Sequence, residues 1–436
     1  MTSFARDFLN GSYRGTPPPL PPPPPPPTPL PYDINIILIS GQSNSEDQDA
    51  APIINRTGRA GVVMLDTIRP RTWGASFGSA FTNAVGTEYI NSTTFHMGGD
   101  MVPAVGDKLM QLIEDEDGFT YADHGQMILP VHIGQSSSAI SEFSHGTAVF
   151  TAVTDHLTAV KAAADAQSKT VGIICGAWLW GADGYEDDIT QSDWYDQVHA
   201  YWSGDVNTYL ADIFDQLGEN FPVGFMQTHA HGARGYGTNP YGAEAELELA
   251  EDFARYHIIN PEGPWFLNGL NRGWAGSTIH HGPHEAAIIG AYIGWFAKRL
   301  VVDEGTWNSH IPSFTRVSST EIRWTGAFTG LRMGVAGTGL PPTTMVTNYG
   351  LFAYDPSTPT TEIALTRPPY QDGNDLVLKT AGTFPVGVKV RGGSRTSSSN
   401  IASNIAFISD DVQTYSVLGQ EIRLWRHIPT FDRVAA

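Results

Sequence analysis

The 436-residue sequence predicts an α/β fold: a three-layer domain with a parallel sheet between helices, followed by an all-β sandwich. Three observations carry this. Single strand-like runs alternate with helical periods from residue 32 to about 302. Helical periodicity stops after residue 303, where Val-, Thr- and Ile-rich runs recur among Gly, Pro and Ser. A proline-rich run over residues 17–31 sets both apart from a short head, residues 1–16.

The elements follow in order. Head residues Phe4, Phe8, Leu9 and Tyr13 lie among polar neighbours in a peptide too short to fold alone. Residues 17–31 favour polyproline II at about 3.1 Å per residue, a spacer of roughly 45 Å. An anchoring peptide on a rod has this layout; a ligand for SH3- or WW-type domains is the alternative. Ile34 to Ile39 is an apolar run of the buried-strand type. Thr147 to Ala166 carries Val149, Phe150, Val153, Leu157, Val160 and Ala164 at helical spacing. Val171 to Trp178 reads as a strand, Gln197 to Leu217 as a helix and Phe221 to Met226 as a strand. Ala243 to Ile258, rich in Glu and Ala, reads as a helix, Trp265 to Leu267 as a short strand and His284 to Leu300 as a closing helix. Strands alternating with helices imply a parallel sheet covered on both faces. In the last part, residues 303–436, the runs 321–324, 344–346, 362–365 and 387–390 predict short strands of a sandwich.

Composition narrows the function classes. Hydrophobic residues are 41% and aromatics 11%, normal for a globular chain. A net charge of −20 disfavours nucleic acid and anionic membrane surfaces as partners. Cys175 is the single cysteine, which excludes an intrachain disulfide and a cysteine-based zinc site. No apolar stretch is long enough to span a membrane, and the first residues lack the apolar core of a secretory signal.

The chemistry concentrates at the ends of predicted strands. Gly41-Gln42-Ser43-Asn44 follows directly on the first strand, at the carboxyl edge where ligands bind in open α/β sheets. Glycine permits a tight turn, and free backbone N–H groups there suit an oxyanion. A serine nucleophile needs a base, usually histidine. His280, His281 and His284 lie just before the closing helix; His229 and His231 follow the 221–226 strand. A metal would require these loops to converge without cysteine or a strong carboxylate set, so no metal or organic cofactor is expected. Trp178 and Trp180, at the end of a strand, read as core or rim packing before they read as sugar platforms.

Residues 37–44, Ile-Leu-Ile-Ser-Gly-Gln-Ser-Asn, resemble the first block of the sialate O-acetylesterase-like branch of the SGNH hydrolases. Gly134-Gln135-Ser136-Ser137-Ser138 is similar to the second block, Ala177-Trp178-Leu179-Trp180-Gly181 is placed like the third, and Ile279-His280 like the fourth. Gly290 and Gly294 in the closing helix keep the family's spacing and select His280 over His281 and His284. The resemblance implies a flavodoxin-like hydrolase domain over residues 32–302, with Ser43 as nucleophile and His280 as base. It implies an oxyanion hole from Ser43, Ser137 and Trp180, and substrate contacts from Gln42, Asn44, Gln135 and Trp178. It also implies hydrolysis of O-acetyl esters on a carbohydrate.

The chain departs from the family's pattern at three places. Ser136 and Ser137 stand where the second block usually has Gly-Gly, Trp180 stands where an amide side chain completes the oxyanion hole, and Ser277 occupies the usual position of the triad Asp. Glu285 and Asp183 are the remaining candidates to orient His280. Losing an oxyanion donor costs about 10²–10³ in turnover, and losing the orienting carboxylate up to about 10⁴. Two outcomes fit: an esterase working with a Ser43–His280 dyad, or a glycan-binding or decoration protein on a degenerate site. Glu46, Asp47 and Asp49 would favour a neutral acetylated sugar over an anionic one if they line the pocket. The β-rich tail and the head on its proline rod resemble tail or capsid-decorating proteins of bacteriophages. That implies a virion location, docking of residues 1–16 to a tail or capsid protein, and a host surface glycan as partner. A symmetric homo-oligomer is compatible with such a role.

Overall fold

A computed structural model of the chain describes residues 29–42, 59–67, 77–83, 101–135, 138–180, 190–227, 241–261, 283–327, 331–333, 347–359, 361–392, 407–417 and 420–436. Its first strand, β1 (Ile34–Gly41), is buried at every position. Ile34, Ile36 and Leu38 enter one apolar cluster and Ile37 and Ile39 the other. A near-continuous run of β-branched and aliphatic residues is what a strand covered on both faces requires.

Four more parallel strands complete the sheet: β4 (Met127–Gly134), β5 (Val171–Leu179), β6 (Val223–Gln227) and β7 (Tyr256–Pro261). A small hairpin, β2 (Val63–Thr67) and β3 (Phe77–Asn83), adjoins the outer edge of β4 through a bridge between Val62 and Ile128. The sheet order is β4-β1-β5-β6-β7, with β1 parallel to β4 on one side and to β5 on the other. Counted within the sheet this is 2-1-3-4-5, the flavodoxin-like order, and the winding direction reverses at β1.

Helices cover both faces. Helices α2 (Ala148–Ala166), α3 (Gln191–His199) and α4 (Tyr241–Asp252) pack against the face that holds Leu38 and Trp178. Helices α1 (Met101–Leu112) and α5 (Pro283–Ala297) pack against the other. Thr147 caps α2, its side chain accepting from Phe150 N. Gly290 and Gly294 sit where α5 crosses α1: a Cβ there would lie 2.3 Å from Met101 O and 2.3 Å from Val105 O respectively. The two glycines therefore form a small-residue face that lets the helix backbones meet.

Two expected helices end differently. The periodicity over 197–217 belongs to an α-helix that begins earlier, at Gln191, and widens into a π-helical stretch over Ala200–Leu210. The expected helix over 243–258 stops at Asp252, and Tyr256 to Pro261 is the edge strand β7. Phe253 N still bonds Leu249 O, then Tyr256 N bonds Phe253 O, so the chain turns without any Gly or Pro to mark it. The short strand expected at 265–267 lies outside the described residues, as does the run at 344–346.

Beyond residue 303 the described strands are antiparallel. β8 (Thr315–Ser318), β9 (Glu321–Trp324), β14 (Asp375–Lys379) and β13 (Tyr370–Asp372) form one sheet. β12 (Glu362–Ile363), β11 (Leu351–Tyr354), β15 (Lys389–Gly392) and β18 (Phe431–Val434) form a second. Ile322, Trp324, Leu376 and Leu378 from one sheet share a core with Leu351, Ala353, Val390 and Phe431 from the other. A third sheet, β10 (Leu331–Met333), β16 (Phe407–Val417) and β17 (Gln420–His427), behaves differently. Its Tyr415 and Leu424 join the cluster of Tyr292 and Trp295 on α5. Lys108 Nζ, from α1, donates to Thr414 O at 2.8 Å. This hairpin is a cover for the helical face of the α/β domain.

Candidate functional site

Gly41 is the hinge of the site. A Cβ on it would lie 1.6 Å from Leu179 O, so only glycine lets β1 run this close to β5. The approach falls at the carboxyl ends of both strands, beside the point where the winding reverses. In sheets of this order that crevice is where ligands bind.

Three bonds draw the flanking loops together there. Gln42 N donates to Leu179 O at 3.1 Å and Gln135 N to Gly41 O at 3.3 Å. Gln42 Nε2 donates to Ser138 O at 2.6 Å, with Gln42 and Ser138 both buried. The chain thus brings together Gln42, next to Ser43, and Gln135 and Ser138, either side of Ser136 and Ser137. The end of β5 lies alongside, with Trp178 opposite Ser40 and Leu179 opposite Gly41. Beneath, Ser40 Oγ donates to Tyr201 OH at 2.9 Å in a fully buried contact. Burial raises the Tyr201 phenol well above its ordinary pKa, so it stays neutral. No sequence signal marks Tyr201, which falls within the helix expected over 197–217.

Ser43, Asn44, Ser137, His280 and His281 lie outside the described residues, as do Asp183, His229, His231 and Ser277. His284 falls in the first turn of α5, and Glu285, in the same turn, is buried. Helix α5 begins at Pro283, three residues after His280 in the sequence, and is fixed against α1 at Gly290 and Gly294.

The two tryptophans sit in the core. Trp178 and Trp180 are both 0% exposed and stack on each other, ring centroids 4.7 Å apart and 13° between planes. Phe143 and Trp194 meet Trp180 edge-on, at 5.0 and 6.3 Å. Trp178 also contacts Tyr201 and Trp202. An enclosed indole offers no face to a sugar, so the substrate contact expected of Trp178 is corrected to a packing role. Trp180 is enclosed in the same way, and neither indole N–H has a hydrogen-bond partner among the described residues.

The C-terminal module flanks this edge. Gln227, at the end of β6, donates from Nε2 to Thr430 O at 2.9 Å and accepts from Thr430 N at 2.6 Å. Asn260, near the end of β7, accepts from His427 N at 2.7 Å. Glu244 of α4 accepts from Asp432 N and pairs with Arg433 at 3.3 Å. Gln227 and Asn260 are fully buried, so residues 427–433 cover the carboxyl ends of β6 and β7.

Strand order and helix placement define a three-layer, flavodoxin-like α/β domain followed by an antiparallel β domain. No protein-family model and no curated protein matches the chain. Among solved structures it is similar to a carbohydrate acetylesterase from Xanthomonas citri, at 12% identity and TM-score 0.48, over 91% of this chain and 80% of that one. It is also similar to NanS, at 14% identity and TM-score 0.37, over 62% and 99%. A protein from Arabidopsis thaliana matches at 11% identity and TM-score 0.35, over 60% and 97%. The fold assignment rests on this chain's own strand order rather than on these matches.

Proposed function

We propose that this chain is a carbohydrate O-acetyl esterase with Ser43 as nucleophile and His280 as base. The observation that carries the reading is the clamp at the switch point. Gly41 against Leu179 O, with Gln42 Nε2 on Ser138 O, sets the flanks of Ser43 and Ser137 side by side at the carboxyl edge. In the proposed reaction the Ser43 hydroxyl oxygen attacks the acetyl carbonyl carbon while its proton passes to the His280 imidazole. The tetrahedral intermediate collapses, the ester C–O bond breaks, and the leaving sugar oxygen takes that proton back. Water, activated by the same imidazole, then releases acetate and restores Ser43. The backbone N–H groups of Ser43 and Ser137 hold the developing oxyanion.

The substrate we propose is a neutral O-acetylated sugar of a host surface polysaccharide. The setting is a virion, with residues 1–16 docking to a tail or capsid protein through the 17–31 rod. The head and rod, placed ahead of the hydrolase domain, support that setting.

One observation favours a second reading. Trp180, in the place of the usual amide donor, is enclosed by aromatic rings and not open to a substrate. A site so altered suits a binding or decoration protein. Hydrolysis of acetylated nitrophenol and of O-acetylated glycan, in wild type beside Ser43→Ala and His280→Ala, separates the two. The esterase reading expects wild-type turnover that both variants lose by about 10³-fold or more. Equal rates in wild type and Ser43→Ala would leave only the binding role.

A further inference from the structure

At the opposite end of the sheet, a groove of about 1200 Å³ opens beside the amino ends of β6 and β7. Its walls come from the end of α3, the turn before β7 and residues 305–311. The five-residue strand β6 puts roughly 16 Å between this groove and the carboxyl edge.

Arg255 is the unusual member of the wall. Arg59, Arg299, Arg323, Arg391 and Arg433 each meet a carboxylate within 4.0 Å. Arg255 has no carboxylate partner among the described residues. Its guanidinium reaches only two amide oxygens, Asn207 Oδ1 at 3.3 Å and Asn220 Oδ1 at 3.4 Å, both long for a charged donor. Its Nε is enclosed with no partner among the described residues. Five donors with two weak acceptors leave the group underused. Phe221 and Tyr256 support it at 5.2 and 5.5 Å, which fixes its position without neutralising it.

The rest of the wall suits a polyhydroxylated ligand. His310 is held at φ 49°, a left-handed conformation, and its Nε2 is enclosed without a partner among the described residues. Backbone strain of this kind concentrates at functional positions. Ser203 Oγ and Tyr256 OH lie 2.9 Å apart, with His199 Nδ1 within 3.3 Å of both. Asn220, Thr306 and Asn308 are exposed amide and hydroxyl groups on the rim. Burial keeps His310 and His257 neutral, with Arg426 adding to the effect. Arg426 itself stacks behind the groove on Trp307 at 3.9 Å. The carboxylate on the wall, Asp252, accepts from Tyr195 OH at 2.7 Å. Arg255 is thus the cationic group that the wall offers to an anion, in a chain of net charge −20.

We propose that this groove binds an acidic saccharide, with a uronate carboxylate on Arg255 and sugar hydroxyls on Asn220, Ser203 and His310. It is separate from the esterase site and does not depend on hydrolysis. Such a site would hold the full chain on an acidic polysaccharide while the far edge of the sheet meets other sugars of the same polymer.

Calorimetric titration of the full chain tests it, with tetragalacturonate as the probe, maltotetraose as the neutral control and acetate as the bare carboxylate. Tetragalacturonate should bind about tenfold or more tightly than either control. Arg255→Gln should weaken it by about tenfold or more. Because Arg255 also packs on Phe221 and Tyr256, Asn220→Asp serves as the second variant. It places a carboxylate against the guanidinium at an exposed position, and should produce the same loss in a protein that melts like wild type. Binding of maltotetraose or acetate equal to that of tetragalacturonate would overturn the proposal, as would unchanged binding by folded Asn220→Asp.

Discussion

Gly41→Ala is the most direct perturbation of the crevice. The added Cβ would lie 1.6 Å from Leu179 O, and ordinary contact begins at 3.4 Å, so one backbone must retreat by roughly 1.8 Å. Neither strand yields easily. Leu179 O accepts from Gln42 N, and both strands are paired along their length. Overpacking of this kind costs about 1–3 kcal/mol. Loss of the Gln42 bonds to Leu179 O and Ser138 O adds about 1 kcal/mol each at most. The consequence for chemistry is larger, because Gln42 leads directly into Ser43. A misplacement of 1 Å at a reacting group costs about 10²-fold in rate. The expected result is a protein destabilised by about 2–4 kcal/mol whose folded fraction hydrolyses acetylated nitrophenol at least about 10²-fold more slowly. Urea unfolding and initial rates below the melting transition read the two effects separately. Gly204→Ala is the control, since nothing lies within 4 Å of a Cβ there. A Gly41→Ala protein with wild-type stability and turnover would refute both the close approach and the placement of the nucleophile beside it.

Other parts of the fold give sharp expectations. Gly290→Ala and Gly294→Ala should each destabilise by about 1–3 kcal/mol in urea, because each new Cβ meets α1 backbone at 2.3 Å. Burial pushes the Glu244 carboxyl up to about 7, outweighing the nearby Arg433. The folded protein therefore holds a proton that the unfolded chain has released, and stability falls as pH rises from about 4.5 through about 7. That loss is on the order of 3 kcal/mol, and Glu244→Gln should flatten the pH profile of the melting temperature over that window. Lys298 is fully buried and faces Asp117 at 3.2 Å, Glu116 at 3.6 Å and Asp303. Lys298→Met should cost about 1–3 kcal/mol by urea titration, since the three carboxylates are part-exposed and keep some hydration.

The sheet was legible where its signals were local. β1 announced itself as an apolar run broken only by Asn35, and Val171–Leu179 and Val223–Gln227 did so nearly as well. β4 was not read as a strand, although Met127-Ile128-Leu129-Pro130-Val131 is apolar, because a proline sits inside it. That proline is tolerated near the sheet edge. Among the described residues the outer side of β4 makes a single bridge, Ile128 N to Gly61 O, and Pro130, two residues on, faces the same side where no further strand pairs. The extent of α4 was misread because a Glu- and Ala-rich helix passes into β7 through Phe253-Ala254-Arg255, residues with no turn signature. At the site, Gly41 was legible as a turn glycine, but its reason was not. The close approach to Leu179 O depends on a register set by β5, some 140 residues away. The Ser40–Tyr201 and Gln42–Ser138 bonds are likewise products of packing between distant segments, and no residue pattern within either segment encodes them.

The tryptophan pair at the end of β5 is a packing solution with a consequence for the proposed site. An amide in place of Trp180 would project from the end of β5 with nothing apolar to do. The indole instead completes a stack with Trp178 and fills the space between Phe143 and Trp194, joining the single helical turn Ile140–Phe143 to α3. Burying that ring contributes about 2–3 kcal/mol. The cost is an enclosed N–H without a partner among the described residues, worth about 1–3 kcal/mol. The two nearly cancel, so stability alone does not favour the indole over an amide. What the exchange does change is geometry. It anchors the segment just after Ser138, whose carbonyl holds Gln42, and so stiffens the clamp beside Ser43, while the proposed oxyanion site would lack a side-chain donor at this position. An esterase built this way would depend on backbone N–H groups for its oxyanion, and its rate should respond far more to Gly41→Ala than to conservative exchange of Trp180 for Phe.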